Sequence, residues 1–229
     1  MRFLTNTASA FALIGLVACG SDAVTPSCCQ QGAPSLRVIN GFSTPVDVLI
    51  DGSVAIPALA AGSIGTASPG SGSHTLMLRP SGGVSASQSI TTADGAVATI
   101  AAVRNSSGAV ASIALDDTNS VVPAGKTKVR VLHLAPNAGV LQVYRTQPDY
   151  PQPVSWQFPF TYQANPTTLS APFYQSTAGS WEVRVWQIPA DSTGWANAPV
   201  KVVIPLTSGQ KKTVVILDKP GGGVRVELL

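Results

Sequence analysis

Short runs in which apolar and polar positions alternate, rather than any sustained helical period, make up the chain after residue 20. Val46, Val48 and Ile50 face one way with Asp47 and Leu49 between them, and Asp51-Gly52 then supplies the residue types of a two-residue hairpin turn. Leu76 and Leu78 alternate with Thr75, Met77 and Arg79 until Pro80-Ser81-Gly82-Gly83 ends the run. Val97 to Val103 and Ala109 to Leu115 flank Arg104-Asn105-Ser106-Ser107-Gly108, a hairpin loop by composition. Late in the chain, Val214 to Leu217 and Val224 to Leu228 flank Asp218-Lys219-Pro220-Gly221-Gly222 in the same manner. About seven short strands in roughly 90–105 residues predict an immunoglobulin-like β-sandwich, a size that holds its own core without a disulfide.

The runs recur. Leu36-Arg37-Val38-Ile39 is matched by Val129-Arg130-Val131-Leu132, and Val46-Asp47-Val48-Leu49 by Leu141-Gln142-Val143-Tyr144. Gly72-Ser73-His74-Thr75-Leu76-Met77-Leu78 is matched by Gly179-Ser180-Trp181-Glu182-Val183-Arg184-Val185. At the end of each half Gly95, Thr99, Gly108 and Val110 pair with Gly209, Thr213, Gly222 and Val224. Four blocks in one order predict a duplicated all-β domain, residues 36–117 and 128–229, joined by a linker over 118–127 that contains Pro123 and Gly125.

The start of the chain follows a different pattern. Arg2 supplies a thin basic region, and Ala8 to Val17 an apolar stretch of the length of a signal-peptide core, about 7–15 residues. It falls short of the roughly 20 residues that cross a bilayer. Leu16-Val17-Ala18-Cys19 closes it as a lipobox, in which a lone thiol at the cleavage junction takes a diacylglyceryl group and the new amino group takes a further acyl chain. Several chains anchor where one does not. Residues 1–18 are expected to be removed, Cys19 to be the lipidation site, and 19–35, with Pro26, Gly32 and Pro34, to form a flexible tether. Gly20, standing where an Asp would retain the protein at the inner membrane, points to the outer membrane of a bacterial envelope. Cys28 and Cys29 are adjacent and could bridge only through a strained ring; thiols or an intermolecular bridge remain open.

Composition sharpens this little. Charged residues are 11 %, Gly numbers 21 and Pro 18, as in secreted all-β proteins. The net charge of +3 on scattered Lys and Arg argues against a nucleic-acid partner. The excess is uneven, with three basic and five acidic residues from Leu36 to Ser120 against ten and five from Lys126 onward.

Arg130-Val131-Leu132-His133-Leu134-Ala135-Pro136-Asn137-Ala138, followed by Val140 to Tyr144, resembles the opening of the domain of unknown function 4397 family. Members begin with an Arg-Val-x-His-x-Pro-like strand and a Val-Asp-Val-Tyr-x-Asp-Gly-like hairpin. The first half keeps Val46-Asp47-Val48-Leu49-Ile50-Asp51-Gly52 but has Asn40 at the histidine position; the second keeps His133 and Pro136 but has Arg145-Thr146 for the Asp-Gly. The resemblance, in outline over Leu36 to Leu229 and in two tandem copies, implies a secreted or surface β-domain, often lipid-anchored, with no activity attached.

No catalytic constellation is visible. Two histidines, His74 and His133, with no cysteine in either domain, do not build a zinc site, and neither a nucleophile elbow nor a phosphate-binding Gly-Lys loop occurs. No metal or cofactor is expected. Asp47 with Asp51 reads as hairpin acids, and His133, sharing a strand face with Val129 and Val131, as a half-buried histidine bonded to the loop after Pro136. The aromatics are lopsided, since all four Trp and all four Tyr lie from Tyr144 to Trp195. On strand alternation Trp181, Val183 and Val185 face the core, and Trp186 stands with Glu182 and Arg184 on the polar face. Trp156, Trp186, Trp195 and Tyr150 are thus the candidate binding residues for a glycan or protein partner, with loop packing as the competing reading. The expected function is a non-enzymatic, lipid-anchored binding or spacing module, the alternative a periplasmic or surface enzyme or accessory factor with a site built on loops of the second domain.

Overall fold

The computed structural model describes residues 32–115, 121–148, 154–160, 173–187 and 198–229, with the backbone alone over 154–160. Cys19, Cys28, Cys29, Tyr150, Trp195 and residues 116–120, which include the start of the expected linker, lie outside the described residues.

The described residues are all β. The first half holds β1 (Ser35–Asn40), β2 (Val46–Ile50), β3 (Ser53–Leu59), β4 (Ile64–Ala67), β5 (Gly72–Pro80), β6 (Ala86–Thr92), β7 (Val97–Arg104) and β8 (Val110–Leu115). The second holds β9 (Lys126–Leu134), β10 (Leu141–Thr146), β11 (Val154–Phe160), β12 (Tyr174–Thr177), β13 (Gly179–Gln187), β14 (Val200–Leu206), β15 (Lys211–Asp218) and β16 (Val224–Leu228). Each half has one strand more than the spacing suggests, because β4 and β12, four residues each, are too short to show a period. The Asp51-Gly52 turn forms as its chemistry demands, with both residues at positive φ (50° and 81°) and Ile50 paired to Ser53.

Each half is a sandwich of two four-stranded sheets, ordered β3-β2-β5-β6 over β4-β1-β7-β8 and then β11-β10-β13-β14 over β12-β9-β15-β16. The strand orders are the same and so is the register. Arg37 lies opposite Thr99 in the parallel pair β1–β7, and Arg130 opposite Thr213 in β9–β15. In the antiparallel pairs Val48 meets Leu78 as Val143 meets Val185. The blocks that repeat in sequence are therefore the paired strands themselves.

Two cores fill the sandwiches. Leu36, Val38, Val46, Val48, Leu76, Leu78 and Ile100 pack in the first, and Val129, Val131, Val143, Val183, Val185, Ile204 and Val214 in the second. A third core, made by the opposite faces of the sheets that contain β1 and β9, joins the halves: Ile39, Ala101, Val103, Ala111 and Ile113 meet Leu132, Leu134, Val215 and Leu217. These two sheets are covered on both faces, so their central strands are apolar at successive positions, as in Val214-Val215-Ile216-Leu217, all buried. The edge strands β6 and β14, covered on one face, keep the alternation of exposed and buried positions. Each fully buried Val, Leu or Ile contributes about 1.5–3 kcal/mol over its exposed state, so the third core holds the halves together through the same kind of burial that closes each sandwich.

Close approach at this seam depends on two glycines of the first half. A Cβ on Gly41 would stand 2.8 Å from Cβ of Leu134 and 3.1 Å from the carbonyl oxygen of Ala102. One on Gly62, whose φ is +72°, would lie 2.6 Å from the carbonyl oxygen of Asp218.

Candidate functional site

The histidine of the family-like opening sits at the end of the first strand of its sandwich. His133 is fully buried, more so than the half-burial that the strand pattern suggests. Its Nδ1 accepts the N–H of Ala135 at 3.3 Å, and its Nε2 donates to the carbonyl of Gly139, in the loop after Pro136, at 2.7 Å. These partners require the neutral ring with the proton on Nε2. Burial holds the imidazole below the ordinary histidine value, against an opposing pull from the Gly139 carbonyl and Asp218.

Asn40 occupies the same place in the first half and does the same work. Its Oδ1 accepts the N–H of Phe42 at 2.9 Å, and its Nδ2 donates to the carbonyls of Leu59 at 2.8 Å and Thr44 at 3.0 Å. In both halves a buried amide-like group accepts from the backbone two residues on and donates to a loop carbonyl, which satisfies groups the turning chain would otherwise leave unpaired. The interchange of His and Asn at this position follows from that geometry. Both ring nitrogens of His133 are thus engaged by the backbone of its own turn.

Around it, Asn137 Nδ2 donates to Asp218 Oδ2 at 2.9 Å, and burial raises the Asp218 carboxyl above its usual range. Arg225 Nη2 donates across the seam to the carbonyl of Gly62. Neither contact is legible in the sequence, since each joins residues more than 80 positions apart.

The aromatic candidates fare unevenly. Trp156 falls within β11, and its side chain is outside what is described, as are Tyr150 and Trp195 entirely. Trp186 does lie on the face opposite Val183 and Val185, but it is not the exposed ring expected of it. It is 5 % exposed and stacks on Tyr144 with ring centroids 4.2 Å apart and planes 8° from parallel. Strand alternation assigns a side chain to a face; it does not say whether that face is covered. Here it is, since Glu182 and Arg184 beside it are buried too and form an ion pair. Tyr144, in the adjacent strand, donates from Oη to Gln142 Oε1 at 3.0 Å, and burial raises its phenol.

Trp181 packs at the margin of the second core, donates from Nε1 to the carbonyl of Thr177 at 2.9 Å, and carries the guanidinium of Arg145 over its ring at 4.2 Å. A depression of about 230 Å³ opens beside this sheet, lined by Leu141, Trp186, Pro199, Val200, Val224 and the Lys219 loop. Among the described residues that line it there is no carboxylate or imidazole, and they offer apolar surface with one ammonium at the rim. Among the described residues no group of three or more His, Cys, Asp or Glu is placed to hold a metal ion, and no helix is long and apolar enough to cross a membrane.

No curated protein matches the chain. Among solved structures it is similar to the product complex of a multi-modular glycogen-degrading pneumococcal virulence factor, SpuA, at 10 % identity and a TM-score of 0.27. That similarity covers 85 % of this chain and 22 % of the other, so the chain spans under a quarter of that protein. Residues 34–144, from the start of the first sandwich into β10 of the second, match the model of the DUF4397 family, a domain of unknown function, and this match supports the family that the opening strands resemble.

Proposed function

We propose that this chain is a lipid-anchored protein of the bacterial envelope, on the outer membrane, that works as a non-catalytic spacing or binding module. In this reading residues 1–18 are a signal peptide, Cys19 carries the lipid and the residues up to Ser35 form the tether. The second sandwich is a second copy of the family domain, a reading supported by the shared strand order and pairing register. The observation that carries the proposal is the third core. Two sandwiches fused through buried sheet faces make one stiff body, which suits a part that holds a surface at a set distance from a membrane. A glycan or protein partner would meet the second sandwich, at the end farther along the chain from the anchor.

Cell fractionation with mass spectrometry of the mature N-terminus tests the anchor. The wild type is expected in the membrane fraction with an acylated Cys19, and Cys19→Ser in the soluble fraction. A Cys19→Ser chain that stayed membrane-bound would overturn this part. In-cell photo-crosslinking from exposed positions of the second sandwich, such as Val203 and Lys201, tests the rest. Reproducible envelope adducts identify a partner, and turnover of a captured small molecule would replace the non-catalytic reading.

A further inference from the structure

Three hydrogen bonds meet at the tip of the first sandwich. Asp51, in the β2–β3 turn, accepts through Oδ1 from the N–H of Thr75 at 2.8 Å and faces Nδ1 of His74 through Oδ2 at 2.7 Å. The other ring nitrogen of His74, Nε2, faces the carbonyl of Gly70 at 2.7 Å. Both neighbours of the ring are therefore acceptors. Only the doubly protonated imidazolium, with a donor on each nitrogen, satisfies both; a neutral ring turns a lone pair toward one of the two oxygens.

The segments so tied are the two walls of one groove. A groove of about 340 Å³ runs between the β2–β3 hairpin, through Ile50, Ser53, Val54 and Ala55, and the end of β4 with its connection to β5, through Ala67, Ser68 and Pro69. Asp51 lies in the turn between Ile50 and Ser53 of the first wall and Gly70 directly after Pro69 of the second, so His74 links the segments that carry the two walls. The second sandwich has Trp181 at the matching place, with a different set of bonds. The device belongs to the first half alone.

We propose that His74 is a proton-operated clasp, which as imidazolium holds the β2–β3 hairpin against the β4–β5 connection and as a neutral ring lets the groove walls part. The surroundings agree. On the strands and turns around the ring the charged groups among the described residues are Asp51 and Asp47 on the hairpin, Arg79 on β5 paired with Asp47, and Asp94, which accepts from Ser71; β3, β4 and β6 carry no charge. The hydrogen bond to Asp51 first, and that to Gly70 second, raise the imidazole above the ordinary value of about 6.5. The hydrogen bond from His74 and then that from Thr75 lower the Asp51 carboxyl. The clasp therefore holds between those two limits. It loosens as the pH rises through the raised His74 value, and at the acid end as it falls through the lowered Asp51 value.

NMR of the full chain provides the test, following the His74 ring signals and amide exchange at residues 51–55 and Thr75, corrected for intrinsic pH dependence. The His74 midpoint is expected above 6.5, and exchange at those amides is expected to quicken about fivefold as the pH passes it, the effect of losing one hydrogen bond, with the core amides of Leu76 and Val131 unmoved. His74→Gln should abolish that step, and Asp51→Asn, which suits the same turn, should lower the His74 midpoint. A midpoint at or below 6.5, a step that persists in His74→Gln, or an unchanged midpoint in Asp51→Asn would each overturn the clasp. Should His74→Gln fail to fold, Asp51→Asn decides.

Discussion

Asn40 and His133 show that a position can repeat its function without repeating its residue. Each accepts a backbone N–H two residues on and donates to a loop carbonyl, so each is replaceable by the other and not by an apolar side chain. His133→Asn is expected to cost less than about 1 kcal/mol and His133→Ala about 2–3 kcal/mol, since the alanine leaves buried backbone groups unpaired; urea denaturation distinguishes them. The two histidines should also respond to pH with opposite sign. His133 is held neutral by burial, so the folded form resists its protonation. Its contribution is fully present above about 6.5 and is lost as the pH falls below that value toward the lowered folded one. His74 contributes below that value and loses its part as the pH rises. The melting temperature of His133→Asn should therefore fall less than that of the wild type between pH 7 and pH 5. At Gly41 the neighbour is backbone and Cβ, neither of which swings aside. Gly41→Ala should cost about 1–3 kcal/mol, read by the same denaturation.

Among the elements, the difference between β14 and β15 explains what a strand pattern can say. In β14 exposed Val203 alternates with buried Ile204, and the pattern names the covered face. In β15 Val214 to Leu217 are all buried, because Val214 and Ile216 enter the second core while Val215 and Leu217 enter the third. An unbroken apolar run is the signature of a strand covered twice, yet it also fits an ordinary strand with a few apolar residues to spare. Which one holds depends on what lies against the other face, far away in sequence. Leu132→Ala in the third core should destabilise by about 2–5 kcal/mol, as a core truncation does, whereas Val203→Ala on the exposed edge should stay within about 0.5 kcal/mol. Parallel chemical denaturation of both variants checks this.

At the scale of the whole molecule, the third core is expected to make the two sandwiches unfold together. Every tryptophan lies in the second half and His74 in the first, so tryptophan emission and the His74 ring signal report on separate sandwiches. Their urea midpoints are expected to coincide. Leu134→Asp, which places a charge in the shared core, should separate them. Separate midpoints in the wild type would show that the halves do not fold as one unit, and coincidence in the variant would show that the third core is not what couples them.

The chain's own order of residues settled the β-content and the Asp51-Gly52 turn and showed which blocks match, because alternation, turn chemistry and matched blocks act over a few neighbours or a fixed offset. It also placed His133 against the loop after Pro136, a contact six residues long. The cover over Trp186, Glu182 and Arg184, the seam between the halves and the meeting of His74 with Asp51 and Gly70 were decided only in three dimensions. Burial and hydrogen bonding of that kind depend on which surfaces stack, and stacking joins β1 to β9 or Asp51 to His74 across stretches that no local period encodes. A side chain's face is written in its strand; what covers that face is written elsewhere in the chain.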